Sequence, residues 1–192
     1  MSEVEIWEQK LNLAQEITGK TFTLVQKNIF AESERDVILG LFISQEGQTT
    51  AGVSYALVNA YWKPNYKCLY VTDTLSKSAH SFSVAKDLLT GLKKHRPERA
   101  YRGNANKVSI YFGETESQIV FCQANLKLSE CDYDTVILDF QYNTLKIESL
   151  LSYANSIKYC GQLLIMPQLQ NESPIGKSAA YNRLDSMLEN LS

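Results

Sequence analysis

Asp139 closes an apolar run, Tyr133-Asp134-Thr135-Val136-Ile137-Leu138-Asp139, and Phe140 follows it. An apolar run ending in a carboxylate is how a buried parallel strand delivers an acid to the rim of an α/β sheet. In a nucleotide hydrolase that Asp would hold magnesium, and a Glu beside it would orient the attacking water. Here the neighbour is Phe140, which can neither give nor take a proton. The matching phosphate-loop candidate is Glu46-Gly47-Gln48-Thr49-Thr50, set after an apolar run and before a helical pattern. Such a loop needs backbone N–H groups aimed at phosphate, a Lys for its charge and a Ser or Thr for magnesium. Gly47, Thr49 and Thr50 are of the right type, but Gln48 holds the Lys position and Phe42 stands where an earlier glycine belongs. Read alone, the loop is a capped helix N-terminus, and Asp139 is an inert strand-end carboxylate.

A second cluster is basic. Lys93, Lys94, His95, Arg96, Arg99, Arg102 and Lys107 follow a helical pattern. A helix C-terminus welcomes cations without any ligand. The sharper reading is a phosphate-contacting face for RNA or DNA, with Tyr101 and Tyr111 available for stacking. His80 and His95 are too far apart for a helical metal pair, and no Cys/His cluster has zinc spacing, so no metal site is expected. No Ser-His-Asp or Cys-His set stands out. Cys68, Cys122, Cys131 and Cys160 lack CxxC spacing. Three of them sit in or beside apolar runs and read as reduced core thiols, which places the chain in the cytoplasm or nucleus.

The elements that must position these groups follow from periodicity. Residues 3–17 carry Trp7, Leu11 and Ala14 on one helical face. Thr21 to Gln26 reads as a short strand and Val37 to Ile43 as a longer one. Gln45 to Gln48 breaks the pattern. Val53, Ala56, Leu57 and Ala60 recur at helical spacing up to Pro64-Asn65. Lys67 to Val71 reads as a buried strand, with Thr72-Asp73-Thr74 as its loop. Ser76 to Lys94 is helical, with Phe82, Ala85, Leu88, Leu89 and Leu92 on one face. Lys107–Phe112, Gln118–Cys122 and Gly161–Met166 are further strands. Strands alternating with helices from about residue 37 to 166 predict an α/β fold with a mainly parallel sheet. Right-handed crossovers then gather the strand-end loops on one edge.

Composition bounds the rest. The chain has 192 residues, 44% hydrophobic and 21% charged, which suits one domain with an ordinary core. A net charge of −2 argues against a bulk electrostatic nucleic-acid binder. No apolar run approaches the roughly 20 residues a bilayer span needs. Met-Ser-Glu-Val-Glu-Ile-Trp lacks a basic leader, so no secretory signal is expected.

Order and spacing of these segments resemble the first RecA-like domain of superfamily I RNA and DNA helicases, in the branch of the nonsense-mediated-decay helicase. Lys67-Cys68-Leu69-Tyr70-Val71-Thr72-Asp73-Thr74, with the helix from Ser76, resembles the family strand whose polar end touches nucleic acid. Ile119 to Asn125 resembles the strand before the acidic one, and Thr135 to Asp139 the acidic strand. Ile147 to Leu151 is similar to the segment after it. Gln162 to Pro174 is similar to the sensor strand and loop, and Leu184 to Leu191 to the closing helix. The likeness covers roughly residues 28–192. It implies one RecA-like, P-loop-type three-layer sandwich over residues 1–192, with residues 1–27 an N-terminal helix and short strand before the 28–192 core. It also implies a nucleotide site at Gly47, Gln48, Thr49, Thr50 and Asp139. For nucleic acid it implies Thr72, Thr74 and Ser76, to which the basic residues Lys93, Lys94, Arg96, Arg99 and Arg102 are added.

Departures from the family fall on the chemistry. Gln48 replaces the phosphate-binding Lys and Phe140 the water-orienting Glu. Pro167, Gln168 and Asn171 stand near the sensor positions. The residues end before a second RecA-like domain, so no arginine finger is expected from within, and a finger alone is worth about a thousandfold. The expectation is a helicase-like module without hydrolysis and without a cofactor, which binds a protein partner. An unpaired lobe exposes an apolar face, so a dimer or heteromer is expected. The alternatives are a nucleic-acid or nucleotide binder without hydrolysis, and a class I methyltransferase-like domain with Gly47 to Gly52 as its loop. The methyltransferase fold also needs a closing antiparallel hairpin, where residues 175–192 look helical.

Overall fold

The computed structural model describes residues 3–31, 37–40, 42–43, 47–124, 133–144, 153, 157–169, 179, 182–184 and 186. Helix α1, Glu3–Thr18, is followed by α2, Leu24–Ala31. Short strands β1, Val37–Leu39, and β2, Phe42–Ile43, precede α3, Gln48–Trp62. Strand β3, Lys67–Thr72, leads to α4, Leu75–His95. Then come β4, Ala100–Asn104, β5, Lys107–Phe112, and β6, Thr115–Gln123. Strand β7, Tyr133–Gln141, a 3-10 turn at Tyr142–Thr144 and β8, Ile157–Leu169, complete the sheet.

The strands form one sheet in the order β1-β8-β7-β3-β6-β5-β4, with β2 also pairing β8. The β1, β8, β7, β3 and β6 pairings are parallel. The β4–β5 and β5–β6 pairings are antiparallel and extend the far edge. This is a RecA-like α/β fold, as expected.

Strand alternation sorts the core onto two faces. Cys68, Tyr70, Ile137, Leu164 and Met166 face one cluster with α1, α2, α3 and α4. Leu69, Val71, Val136, Leu138, Phe140, Leu163 and Ile165 face the other, which includes Tyr153 and Leu184. Period two places Asp139 on the face of Ile137, toward α3 and α4, and Phe140 on the opposite one. Helix α3 is buried along almost its whole length, from Ala51 to Ala60. It lies so close to the sheet that a Cβ at Gly52 would collide with Met166 Cε and come within 3.0 Å of the Tyr70 hydroxyl.

Two expected elements differ. Thr21–Gln26 is not a strand: Leu24 begins α2. The Gln26 side-chain carbonyl accepts from Thr23 N at 2.8 Å, and the Thr23 hydroxyl from Gln26 N at 3.4 Å, a reciprocal cap that closes the first turn. The Val37–Ile43 run is two short strands in one register against β8, and the Gly40 N–H after the first bonds Ile165 O at 2.9 Å. Strand β4 was not expected. Its sequence Ala-Tyr-Arg-Gly-Asn is mostly exposed and lacks an apolar period. The antiparallel hairpin that a methyltransferase needs at its end instead lies between α4 and β6, and the RecA-like order replaces that alternative.

Candidate functional site

Gly47 sits at φ 72°, in the left-handed region, and α3 begins at the next residue. Glycine makes that turn without a Cβ penalty. The Gln26 amide donates to Gly47 O at 3.3 Å, which ties α2 to the loop. Gln48 is 4% exposed. Its side-chain amide donates to Phe140 O at 3.4 Å and to Met166 O. It therefore bridges the C-terminal parts of β7 and β8 and carries no charge.

Asp139 is completely buried. Its Oδ2 accepts from Thr49 Oγ1 at 2.9 Å and from Tyr70 OH at 2.7 Å. Lys77 Nζ is 2.7 Å from Oδ1, and the Lys77 side chain is 15% exposed. Four elements thus converge on one carboxylate: β7, β3, and the first turns of α3 and α4. Burial, and then the charge of Asp139, pushes the Tyr70 phenol well above its ordinary value, so it stays an O–H donor. The arrangement is a closed, charge-balanced polar cluster inside an apolar interface.

Beside it, Asp73 fastens the loop after β7. Its Oδ2 accepts from Gln141 N at 2.9 Å and from Thr144 Oγ1 at 3.1 Å. A small cleft of about 180 Å³ opens between Lys20, Phe22, Thr23, Gln26, Gly47 and Thr50.

The structure thus joins Gly47, Gln48, Thr49 and Asp139, with Thr50 one residue further along α3. Pro167 and Gln168 lie at the end of β8, where Gln168 Oε1 accepts from Gln141 Nε2 at 2.7 Å; Asn171 lies outside the described residues. Thr72 is fully buried, and its hydroxyl donates to Thr74 O at 2.9 Å. Thr74 caps α4, accepting from Lys77 N at 3.2 Å. Ser76 is exposed in the first turn of α4. Lys93 and Lys94 lie in its last turn. At 1.5 Å per residue, Ser76 and Lys93 stand about 25 Å apart, so the two halves of the expected nucleic-acid surface occupy opposite ends of one helix.

The basic stretch is itself divided. Arg96 pairs with Glu16 at 3.5 Å, and Arg99 lies 4.1 Å over the Phe112 ring. Arg102 lines a shallow cleft with Lys107, Tyr111 and Glu116, where Lys107 pairs with Glu116 at 3.0 Å. Tyr101 donates to Arg96 O at 2.6 Å. His80 and His95 are exposed, and among the described residues no group of three or more His, Cys, Asp or Glu could hold a metal. Cys68 and Cys122 are free and buried; Cys131 and the side chain of Cys160 lie outside the described residues.

Sequence reasoning missed Tyr70, Lys77 and Gln26. Strand alternation and register carry the signal for Tyr70, two residues before the Thr72 that pairs with Asp139. Lys77 and Gln26 depend on helix docking, which leaves no local mark.

No family model matches the chain, and no curated protein does. Solved structures do. The Thermus phage P74-26 large terminase ATPase domain matches at TM-score 0.60 and 18% identity, over 80% of this chain and 67% of that one. The HK97 bacteriophage large terminase matches at TM-score 0.67 and 11% identity, over 87% of this chain and 38% of that one. A large terminase from a thermophilic bacteriophage, in complex with ADP, matches at TM-score 0.54 and 12% identity, over 91% of this chain and 49% of that one. At such identities the likeness establishes the RecA-like fold and nothing finer.

Proposed function

We propose that this chain is a RecA-like module that does not hydrolyse nucleotide and serves as a protein-interaction or scaffold component of an RNA-handling complex. The observation that carries the reading is Gln48. The residue at the phosphate-loop lysine position is neutral, buried and engaged with two main-chain carbonyls. Phosphoryl transfer depends on positioned charge, and that charge is missing from the loop. Phe140 adds to this, because its ring lies on the sheet face away from Asp139. The superfamily I helicase likeness of the motifs supplies the RNA context. The free thiols Cys68 and Cys122 favour a reducing compartment, cytoplasm or nucleus. No helix among the described residues is long and apolar enough to cross a membrane.

A second reading rests on the cleft beside Gly47, which gives a nucleotide a place to bind without turnover. A thermal-shift series with ATP plus magnesium, ADP, S-adenosylmethionine and a short single-stranded RNA separates the two. A ligand at a hundredfold excess over its dissociation constant adds about 2.7 kcal/mol. For a chain of this size that moves Tm by roughly 5–10 °C. The scaffold reading predicts no shift with any of them. A shift with ATP or ADP that Gly47→Val removes favours the second reading over the first.

A further inference from the structure

A RecA-like ATPase fold implies a divalent metal at Asp139, and the side chains present do not fit one. Magnesium binds carboxylate oxygens at about 2.1 Å and keeps several waters around it. Here Oδ1 faces the Lys77 ammonium at 2.7 Å, and that nitrogen is shielded from solvent. The other oxygen, Oδ2, is covered by the hydroxyl protons of Thr49 and Tyr70. A dication entering this cluster would sit against a like charge where the surroundings screen it poorly.

We propose that Lys77 is the resident cation of this site: its ammonium, delivered by the first turn of α4, takes the charge-balancing place of the divalent metal. The inference deepens the reading above, and rests on it in treating the Gly47 loop and Asp139 as counterparts of a RecA-like nucleotide site. A fully buried carboxylate survives ionised only with a partner charge and filled hydrogen-bond positions. Asp139 has the partner charge beside Oδ1 and two hydrogen bonds on Oδ2, all from side chains. The Lys77 stem is aliphatic and mostly buried while its head reaches the acid. The reach is fixed from the helix end, since the Thr74 hydroxyl accepts from Lys77 N and holds the first turn of α4 in place. Two helix N-termini, those of α3 and α4, also present their positive ends near the carboxylate. The site is therefore charge-balanced without metal, and that balance rests on Lys77.

Manganese binding, read by electron paramagnetic resonance, tests this on the full chain together with Tm. The wild type and Asp139→Asn are expected to bind manganese equally weakly, with no Tm response to millimolar magnesium. Lys77→Met is expected to lose several degrees in Tm, to gain a manganese site, and to recover Tm when manganese is added. Lys77→Met combined with Asp139→Asn should lack that site. Manganese binding by the wild type that Asp139→Asn abolishes overturns the proposal, and so does a folded Lys77→Met that gains no site. Should Lys77→Met fail to fold without metal, refolding it with manganese is the second readout. Recovery supports the proposal, and no recovery overturns it. Phosphate release from ATP in the same samples separates the two readings. Asp139-dependent manganese binding without phosphate release overturns only the role of Lys77. Phosphate release without it overturns only the non-hydrolysing function.

Discussion

Asp139 shows how one residue ties sequence to stability. A charge removed wholly from water costs more than its neighbours return unless every contact is made. Thr49 and Tyr70 donate to Oδ2, and the Lys77 ammonium stands 2.7 Å from Oδ1. Lys77→Ala should therefore cost about 3–5 kcal/mol in urea unfolding, because it strands the carboxylate. Combining it with Asp139→Asn should cost less than the sum of the two single changes, since the neutral amide no longer needs the ammonium. Equal additive costs would contradict the pairing. Buried thiol and phenol groups set the alkaline limit. Burial pushes Cys122 from 9.0 up to about 11 and Tyr153 from 10.0 up to about 12. Below pH 9 both states keep these protons, so stability is unaffected. As pH rises further the unfolded chain releases them first, so the folded state binds more protons and stability falls. Urea midpoints should decline between pH 9 and about 12, and Cys122→Ala should flatten the lower part of that decline. At this scale the sequence reading reached Gly47, Gln48, Thr49 and Asp139, because each marks the end of a local pattern. It missed Lys77 and Gln26, whose partners are set by how helices dock on the sheet.

Helix α3 governs the geometry at the next scale. It lies against Met166 and Tyr70 across Gly52, where no side chain fits. Gly52→Ala should destabilise by about 1–3 kcal/mol, the range for overpacking a filled core. Met166→Ala in the same chain should relieve part of that cost, because Met166 Cε is the first atom a new Cβ meets. Thr74→Ala removes the cap of α4 and should cost about 1 kcal/mol. The capped turn carries Lys77, so the same change should weaken the coupling between Lys77 and Asp139 in a double-mutant cycle. Long periodic elements were legible: α1, α3, α4, β3 and β7 fall where their apolar spacing puts them. Elements fixed by other forces were not. Thr21–Gln26 has strand-like residues, but the cap between Thr23 and Gln26 starts a helix there. Strand β4 exists because β5 offers it an edge, as Tyr101 pairs with Ile110 and Gly103 with Val108.

For the molecule as a whole, alternation of strands and helices made the parallel sheet readable, and the likeness to terminase ATPase domains agrees with it. The expected nucleic-acid surface was assembled from segments near one another in sequence order, and α4 separates them in space. Exposed large apolar side chains among the described residues, Leu24, Val37, Trp62 and Leu75, lie on four different elements. On the proposed reading this RecA-like fold carries no hydrolytic site, because Gln48 is neutral and engaged and the Asp139 charge is already balanced. Single-turnover phosphate release from ATP with magnesium, comparing the wild type with Asp139→Asn, tests it most directly. The account predicts the same background rate for both. Release by the wild type that Asp139→Asn abolishes would contradict it.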